Sequence, residues 1–489
     1  MAGANWRVQE FRSPLTMPNQ YIFRKEELKL NPYIFRANDI RGIFEKDFDA
    51  DDCVNIGKAY GTWLLEKGKD STALGRDNRI TSPKIHDAVL EGLLSTGVKV
   101  FDLGMVMTPM TYLAPVLLKC GGAVMVTASH LSLEWNGFKL SFEDRTIFGD
   151  EIQEVRGIAQ KKNFKKGKGS VESVDLSKLY QDTLWKSVEE LSKVSIMEKK
   201  RTLKVVVDSG NGMAGLFAPS FLRNIGCEVI ELHSRLDGTF PNHGPDPTIG
   251  PNMLEAIAKV KKEKADLGIV FDGDGDRVNV CDEKGFVLWG DGLLLLFARD
   301  ILSRHPRTEI LYNTQCSPAS EEDIVAHQGI PVMVPTGHSL VLNELRFYGG
   351  VFAGEYKCHF YFYDHYYGFD DALYAALRLI KILERTTRPL SDIMSDVPFY
   401  HASGEIEIPF PDERKYEVVD KIKNNLRRLY FVNEMDGARI KFRDLTDTWG
   451  LIRASGTFPK LEVFSWAKEQ KDMINAKEVL LAEVQKYMK

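Results

Sequence analysis

The sequence predicts an α/β architecture followed by a C-terminal α+β domain, on three observations. Short apolar runs repeatedly end at polar or glycine-rich turns and lead into helical patterns, as where KVVV (204–207) meets Asp208-Ser209-Gly210-Asn211-Gly212. A length of 489 residues suits several domains of ordinary size. From Ala402 onward the pattern changes to strand-like alternation around one amphipathic helix.

Taken in order, AVMV (123–126) predicts a strand that runs into a loop beginning at Thr127. KVVV predicts a strand, residues 208–212 a turn, and the pattern from Ala214 a helix. LGIVF (267–271) predicts a strand ending at Asp272 and Gly273, and EILY (309–312) one ending at Asn313. Such sheets bind ligands beyond the carboxyl ends of their strands, so each strand-end loop is a candidate site. KKNFKKGK (161–168) predicts an exposed loop or linker. In the last part GEIEIPF predicts a strand, 414–430 an amphipathic helix, and 438–442 and 450–452 two further strands.

Composition narrows the function. Apolar residues make up 44%, enough for several buried cores. Lys+Arg 64 against Asp+Glu 69 leaves a formal charge of -5, without the basic excess a nucleic-acid partner would favour. An anionic substrate stays open, because local charge in a cleft outweighs the total. Cys53, Cys120, Cys227, Cys281, Cys316 and Cys358 form no CxxC pair, which argues against a disulfide framework or a zinc site and fits a reducing compartment. The first 20 residues are polar and lack the apolar core of a secretory signal. Apolar runs such as 293–298 are far too short to span a bilayer. The expectation is a cytoplasmic protein with no membrane or nucleic-acid partner.

Four loops carry candidate chemistry. Asp272-Gly273-Asp274-Gly275-Asp276-Arg277 places three carboxylates at alternate positions after an apolar strand. That density of hard oxygen suits Mg²⁺, and the spacing is not that of an EF-hand. Arg277 could bind an anionic ligand there. In Thr127-Ala128-Ser129-His130, continuing to Asn136-Gly137-Phe138-Lys139, Ser129 is either a nucleophile or phosphate carrier, or a helix cap. In Gly354-Glu355-Tyr356-Lys357-Cys358-His359, Glu355 and His359 either hydrogen-bond sugar hydroxyls or decorate an ordinary turn. Arg453-Ala454-Ser455-Gly456-Thr457 offers a guanidinium, two hydroxyls and a flexible glycine, a cradle for phosphate or an incidental β-turn.

These loops, in this order, resemble the α-D-phosphohexomutase family over nearly the whole chain. Phe35-Arg36-Ala37-Asn38-Asp39-Ile40-Arg41-Gly42 is similar to its N-terminal FRxYDIRG motif. VVVDSGNGMAG (205–215), PNHGPDP (241–247), Gly337-His338-Ser339 and Gly368-Phe369-Asp370-Asp371 also match. The resemblance implies three similar α/β domains with mixed sheets (1–175, 176–286 and 287–398) and a C-terminal α+β domain (399–489), around a central cleft. It implies a phosphoryl group carried on Ser129, with Asp272, Asp274, Asp276 and the phosphoserine holding Mg²⁺. Arg41, His130, Lys139 and Arg277 would line the phosphoryl-transfer end. Glu355, His359 and His338, with Lys357 in the same loop, would meet the sugar. Arg453, Ser455, Gly456 and Thr457 would grip the phosphate the substrate already carries. Lys139 and His359 are the candidates for general acid and base.

The implied reaction interconverts hexose 1-phosphate and hexose 6-phosphate, of mannose or glucose, through a hexose 1,6-bisphosphate intermediate that also serves as activator. The chain departs from the family pattern in places. Leu131 and Ser132 follow His130 where Asn-Pro is usual, Lys357 replaces a hydroxyl, and Gly456 and Asn38 replace Asn and Tyr. Gln315 and Pro335 stand near positions where lysine is common. Cys358 replaces a glycine, which predicts an altered backbone path. Two other readings follow: a catalytically impaired homologue that binds sugar phosphates, and an aspartyl-nucleophile phosphatase, because LGIVFDGDGD also resembles the haloacid-dehalogenase nucleophile strand.

Overall fold

Four hydrogen-bonded sheets organise the chain in the computed structural model, which describes residues 30–194 and 199–488. The polar segment 1–20 lies outside the described residues. Two units emerge: one runs to Leu288 and takes in His365–Ile393, and the other comprises Trp289–Asp364 and Met394–Lys489.

The first unit holds two sheets. Strands β1 (Ile40–Ile43), β2 (Ser71–Arg76), β3 (Lys99–Met105), β4 (Gly122–Val126), β5 (Trp135–Phe142), β6 (Arg145–Thr146) and β7 (Val171–Ser173) form a sheet of order β1-β5-β4-β2-β3-β7, with β6 on β5. It is mixed: β4, β2, β3 and β7 pair parallel, and β5 runs antiparallel to β4 and β1. Helix Ala50–Glu66 covers it, started by a capping box in which Asp49 and Asp52 each accept the other's backbone N–H. Every residue of β4 is buried, as expected of a strand covered on both faces. The segment 161–168 closes helix Asp150–Lys161 and continues as a largely exposed loop.

Strands β8 (Lys204–Asp208), β9 (Glu228–Leu232), β10 (Leu267–Phe271) and β11 (Val278–Asp282) form the second sheet, of order β11-β10-β8-β9. β9, β8 and β10 are parallel, and β11 returns antiparallel. Val205, Val207, Ile269 and Phe271 are fully buried, each stabilising the sheet by about 1.5–3 kcal/mol. The helix expected from Ala214 begins instead as a 3₁₀ turn, Met213–Leu216, and becomes α-helical only at Ala218–Asn224, where Pro219 occupies the first turn. His365–Ile393 contributes helix Ala372–Leu383, capped by Asp371, whose carboxylate also accepts the Tyr180 and Tyr366 hydroxyls.

The second unit also holds two sheets. Strands β12 (Glu309–Asn313), β13 (Ile330–Val334), β14 (Phe352–Gly354) and β15 (Phe360–Phe362) have the order β13-β12-β14-β15, parallel except for β15. Strands β16 (His401–Ala402), β17 (Ile406–Pro409), β18 (Phe431–Asn433), β19 (Ala438–Lys441), β20 (Thr448–Ala454) and β21 (Lys460–Ala467) form an antiparallel sheet of order β16-β21-β20-β19-β18, with β17 on β21. Helices Asp412–Leu426 and Gln470–Gln485 give Val418, Ile422, Ala476 and Leu480 to its core. The first of these begins at Asp412, just before the amphipathic pattern and after Pro411 at its N-cap, and it ends before Tyr430. Among the described residues no helix is long and apolar enough to cross a membrane.

Candidate active site

Each chemically promising loop begins where a strand ends. Ser129 follows β4, Asp272 follows β10, Glu355 follows β14 and Ser455 follows β20. In the first unit the fold brings the Ser129 loop onto the acidic loop. Ser129 is fully buried and takes a left-handed φ of 53°, a conformation that costs a non-glycine residue on the order of 1–3 kcal/mol. Its Oγ donates to Asp272 Oδ2 at 2.9 Å and lies 3.3 Å from His130 Nδ1. Its backbone N–H donates to Thr127 Oγ1 at 2.8 Å.

Arg79, which sequence reasoning missed, holds this loop in place. Its Nη2 donates to the Ser129 and Leu131 carbonyls at 2.8 and 2.6 Å, and its Nη1 to those of Ser132 and Trp135 at 2.8 and 3.2 Å. Asp77 pairs with the same buried guanidinium at 3.2 Å. The five-donor fork of arginine lets one side chain clasp a whole turn. The available signal was the Gly75-Arg76-Asp77-Asn78-Arg79 run at the end of β2, itself a strand-end loop.

The acidic loop meets Ser129 closely because position 273 is glycine. A Cβ there would stand 2.6 Å from the Ser129 carbonyl oxygen. Gly275 takes φ 78°, which bends the loop back. As a result Asp272 Oδ1 accepts the backbone N–H groups of Gly275, Asp276 and Arg277 at 3.0, 3.0 and 3.1 Å. The carboxylates of Asp272, Asp274 and Asp276 are buried, with ligand oxygens within 4.8 Å of one another.

Lys139, on β5, donates to Asp274 Oδ2 at 2.9 Å and pairs with Asp276. Thr108 and Thr127 donate to the same Asp274 oxygen at 2.5 and 3.2 Å. Asp274 Oδ1 is buried without a hydrogen-bond partner. An orphaned carboxylate oxygen in an all-oxygen donor set fits a hard divalent cation, so the cluster could hold a metal ion.

The charges bear this out. Burial, reinforced by Asp276 and Asp274, pushes the Asp272 carboxyl well above the ordinary aspartate range. Burial alone would lower the Lys139 ammonium, but Asp274 and Asp276 outweigh it and hold the value well above that of a free lysine. Arg41, on β1, pairs with Asp39 at 2.6 Å and reaches the Ala128 carbonyl at 3.4 Å. Arg277 Nε is 4.0 Å from Asp276. Ser129, His130, Arg41, Lys139, Arg277 and the three aspartates are thus gathered in one unit.

The remaining candidates lie in the second unit. Glu355 is buried. It accepts the Tyr361 hydroxyl at 2.6 Å on one oxygen, and the Asn313 amide and Gly337 N–H at 3.3 and 3.2 Å on the other. His359 stacks between His338 and Tyr361, with ring centroids 6.1 and 6.3 Å away. Cys358 takes φ 66°, the left-handed conformation that glycine favours. Its N–H donates to the Glu355 carbonyl at 2.9 Å, which closes the turn and holds that conformation.

Lys357 pairs with Glu405, which also meets Lys460 at 3.1 Å. Arg453 is gripped by Asp436 at 2.9 Å and Glu462 at 2.5 Å, and Gln315 donates to the same Glu462 oxygen at 2.8 Å. Burial opposes both charges of this network, but the opposite neighbours prevail: Arg453 is raised and Glu405 and Glu462 are lowered. Ser455 Oγ accepts the N–H groups of Thr457 and Phe458 at 3.4 and 3.3 Å, so Gly456 sits inside a tight turn. The buried ammonium of Lys415 donates to the Ser455 and Phe458 carbonyls at 2.5 and 2.9 Å and fixes that turn from behind. Asp436, Glu405, Glu462 and Lys415 were not singled out from sequence, since each is joined to its partner only by folding.

Comparisons with known proteins follow the same lines. Three family models match in succession: phosphoglucomutase/phosphomannomutase α/β/α domain I over residues 32–166, domain II over 179–285 and domain III over 289–400. The chain is 37% identical over 447 residues to a phosphomannomutase/phosphoglucomutase of Pseudomonas aeruginosa, covering 91% of this chain and 94% of that one. It is 36% identical over 434 residues to a phosphoglucomutase of Neisseria gonorrhoeae, covering 88% and 91%. The crystal structure of a phosphoglucomutase/phosphomannomutase family protein from Burkholderia thailandensis superposes with a TM-score of 0.83 at 34% identity, over 93% of this chain and 98% of that one.

Proposed function

The chain belongs to the phosphoglucomutase/phosphomannomutase family, and from that premise we propose that it interconverts hexose 1-phosphate and hexose 6-phosphate, of glucose, mannose or both, through a phosphoserine at Ser129. Membership makes it a phosphohexomutase, an isomerase that works by intramolecular phosphoryl transfer. The observation that carries the reading is the Ser129 hydroxyl, clasped in a left-handed turn 2.9 Å from an aspartate of a buried three-carboxylate loop.

Phosphoryl transfer is catalysed mainly by positioning and charge stabilisation. Mg²⁺ held by Asp272, Asp274 and Asp276, with the Ser129 oxygen adjoining, would neutralise charge on the transferring group. Arg41, Lys139 and Arg277 add fixed positive charge, and His130 adjoins the hydroxyl at 3.3 Å. Arg79 keeps the loop rigid through four carbonyls and so preserves the line of attack. The free hydroxyl of the sugar phosphate takes the phosphoryl group from Ser129, and the P–O bond to serine breaks. A hexose 1,6-bisphosphate results, and its other phosphate returns to Ser129.

In the second unit Glu355 and His359, with His338 and Lys357, are the proposed sugar contacts. Arg453, Ser455, Gly456 and Thr457 are the proposed phosphate contacts. Of the two candidates for proton transfer, Lys139 is held charged by Asp274 and Asp276, which leaves that role to His359 in this reading. None of the six cysteines is joined in a disulfide, in keeping with the cytoplasm as the proposed compartment. Neither an aspartyl-nucleophile phosphatase nor an impaired sugar-phosphate binder gains support from the comparisons.

Intact mass and isomerase turnover test the proposal, with Mg²⁺ and a hexose 1,6-bisphosphate activator, in the wild type and Ser129→Ala. The expected result is one phosphate-sized increment on Ser129, with turnover of glucose or mannose 1-phosphate that the variant lacks. A mass shift on Asp272, or no turnover of any phosphohexose, overturns it.

A further inference from the structure

Away from the acidic loop, the second sheet of the first unit gathers another set of metal-ligating side chains. Asp208, His233 and His243 each offer a ligand atom within 4.8 Å of the others. They converge at one end of the sheet: Asp208 closes β8, His233 follows β9, and His243 lies in the loop beyond. Phosphoryl transfer as proposed above uses none of them.

The local geometry has the features of a ligand set. Asp208 is fully buried. Its Oδ1 accepts the Gly210 N–H at 3.0 Å, and its Oδ2 lies 3.2 Å from His243 Nε2. His243 donates its Nδ1–H to the Gly244 carbonyl at 2.8 Å, which orients the ring and leaves Nε2 toward the carboxylate. Metal-binding histidines are commonly anchored through the second nitrogen in this way. The His233 ring lies 5.4 Å from that of His243 at 78°. The Asn211 N–H fixes the His233 backbone carbonyl at 2.8 Å, and Glu255 stands 3.0 Å from its Nε2 on the exposed side. Both imidazoles are partly open to solvent, which provides an entry path.

We propose that Asp208, His233 and His243 bind a divalent cation of the zinc class, at a site separate from the acidic loop. Two imidazoles and one carboxylate are donors for Zn²⁺, Co²⁺ or Ni²⁺, whereas Mg²⁺ takes oxygen alone. The lack of paired cysteines argues only against thiolate sites and leaves this one untouched. Burial disfavours the charged ring, yet Asp208 and the Gly244 carbonyl raise His243 above the ordinary histidine value.

Co²⁺ titration of the full-length, tag-free chain tests the proposal, followed by visible absorption in excess Mg²⁺ and reversed by Zn²⁺. The wild type should bind one equivalent with the intense d–d bands of low-coordinate, nitrogen-ligated cobalt. His233→Gln and Asp208→Asn should each weaken binding by at least about tenfold. Asp274→Asn should leave it intact. His233→Gln changes a partly exposed side chain, so an unaltered thermal midpoint without metal separates lost ligation from misfolding. Absent binding in the wild type, wild-type affinity in both ligand variants, or loss confined to Asp274→Asn overturns the site. None of these outcomes depends on whether the chain turns over a phosphohexose.

Discussion

In the first unit, three buried carboxylates lie in a single turn, two of them share the ammonium of Lys139, and Asp274 Oδ1 has no hydrogen-bond partner. In the second, Lys357, Lys460 and Arg453 are matched within one network by Glu405, Glu462 and Asp436. The first group is buried and the second largely so, yet the titration shifts of their carboxylates run in opposite directions. Asp272 is raised, whereas Glu405 and Glu462 are lowered. The first set is short of positive charge and could take a cation; the second is matched within the chain. A ligand cation therefore has something to gain in the first unit. An anionic ligand in the second must compete with carboxylates already in place.

The sharpest way to break this contrast is Asp274→Asn, which removes charge and the orphaned oxygen together. Turnover should fall by about 10²–10³-fold, the scale of losing one strong electrostatic contact at a transferring group. Mg²⁺ should then no longer raise the thermal midpoint. A variant that keeps both responses would show that the acidic loop is not a cation site. Next comes Gly273→Ala. Its Cβ would press on the Ser129 carbonyl from 2.6 Å and part the two loops. Displacement of that order costs about 10²-fold in rate, and the fold should survive because only one turn shifts. Steady-state kinetics beside a thermal melt separates the two effects.

The opposite shifts also predict opposite pH responses. A raised Asp272 means that the metal-free folded chain keeps a proton the unfolded chain has released above 3.8, so stability of the first unit declines as pH rises through that shift. Lowered Glu405 and Glu462 stabilise the second unit above 4.5, and that contribution is lost as pH falls through their depressed values. Hydrogen exchange resolved by region, without Mg²⁺, should show the second unit loosening first on acidification, and added Mg²⁺ should protect only the first. Uniform loosening of both units would dissolve the distinction.

What could be read from sequence follows the same division. The acidic loop is legible because its ligands lie at alternate positions of one short run, and the spacing itself carries the chemistry. β4, β8, β10 and β12 are legible because buried parallel strands read as unbroken apolar runs. The strand-end run marks Arg79 as a candidate but not its role, which acts through the carbonyls of Ser129 and Leu131 some fifty residues further along the chain. Asp436, Glu405 and Glu462 were invisible for a related reason: a lone carboxylate in sequence says nothing of the cation that folding will set against it. The 3₁₀ turn at Met213–Leu216 escaped because a helical pattern does not distinguish one hydrogen-bond ladder from another.

The smallest expected effect bears on the second unit's most unusual residue. Lys357 stands where the family carries a hydroxyl, and it pairs with Glu405. Lys357→Ser restores the family pattern, and Glu405 keeps Lys460 at 3.1 Å, so no buried carboxylate is abandoned. Stability should therefore change little. If Lys357 touches the sugar phosphate, KM should rise by about tenfold with kcat nearly unchanged, the worth of one charge-assisted hydrogen bond made equally in ground and transition states. If its role is confined to Glu405, KM should hold and the thermal midpoint should shift only slightly. Kinetics with glucose 1-phosphate and mannose 1-phosphate measured side by side decides between these outcomes. It also shows whether the added cation sets a preference between the two sugars, since a contact to a hydroxyl they do not share would shift one KM and spare the other.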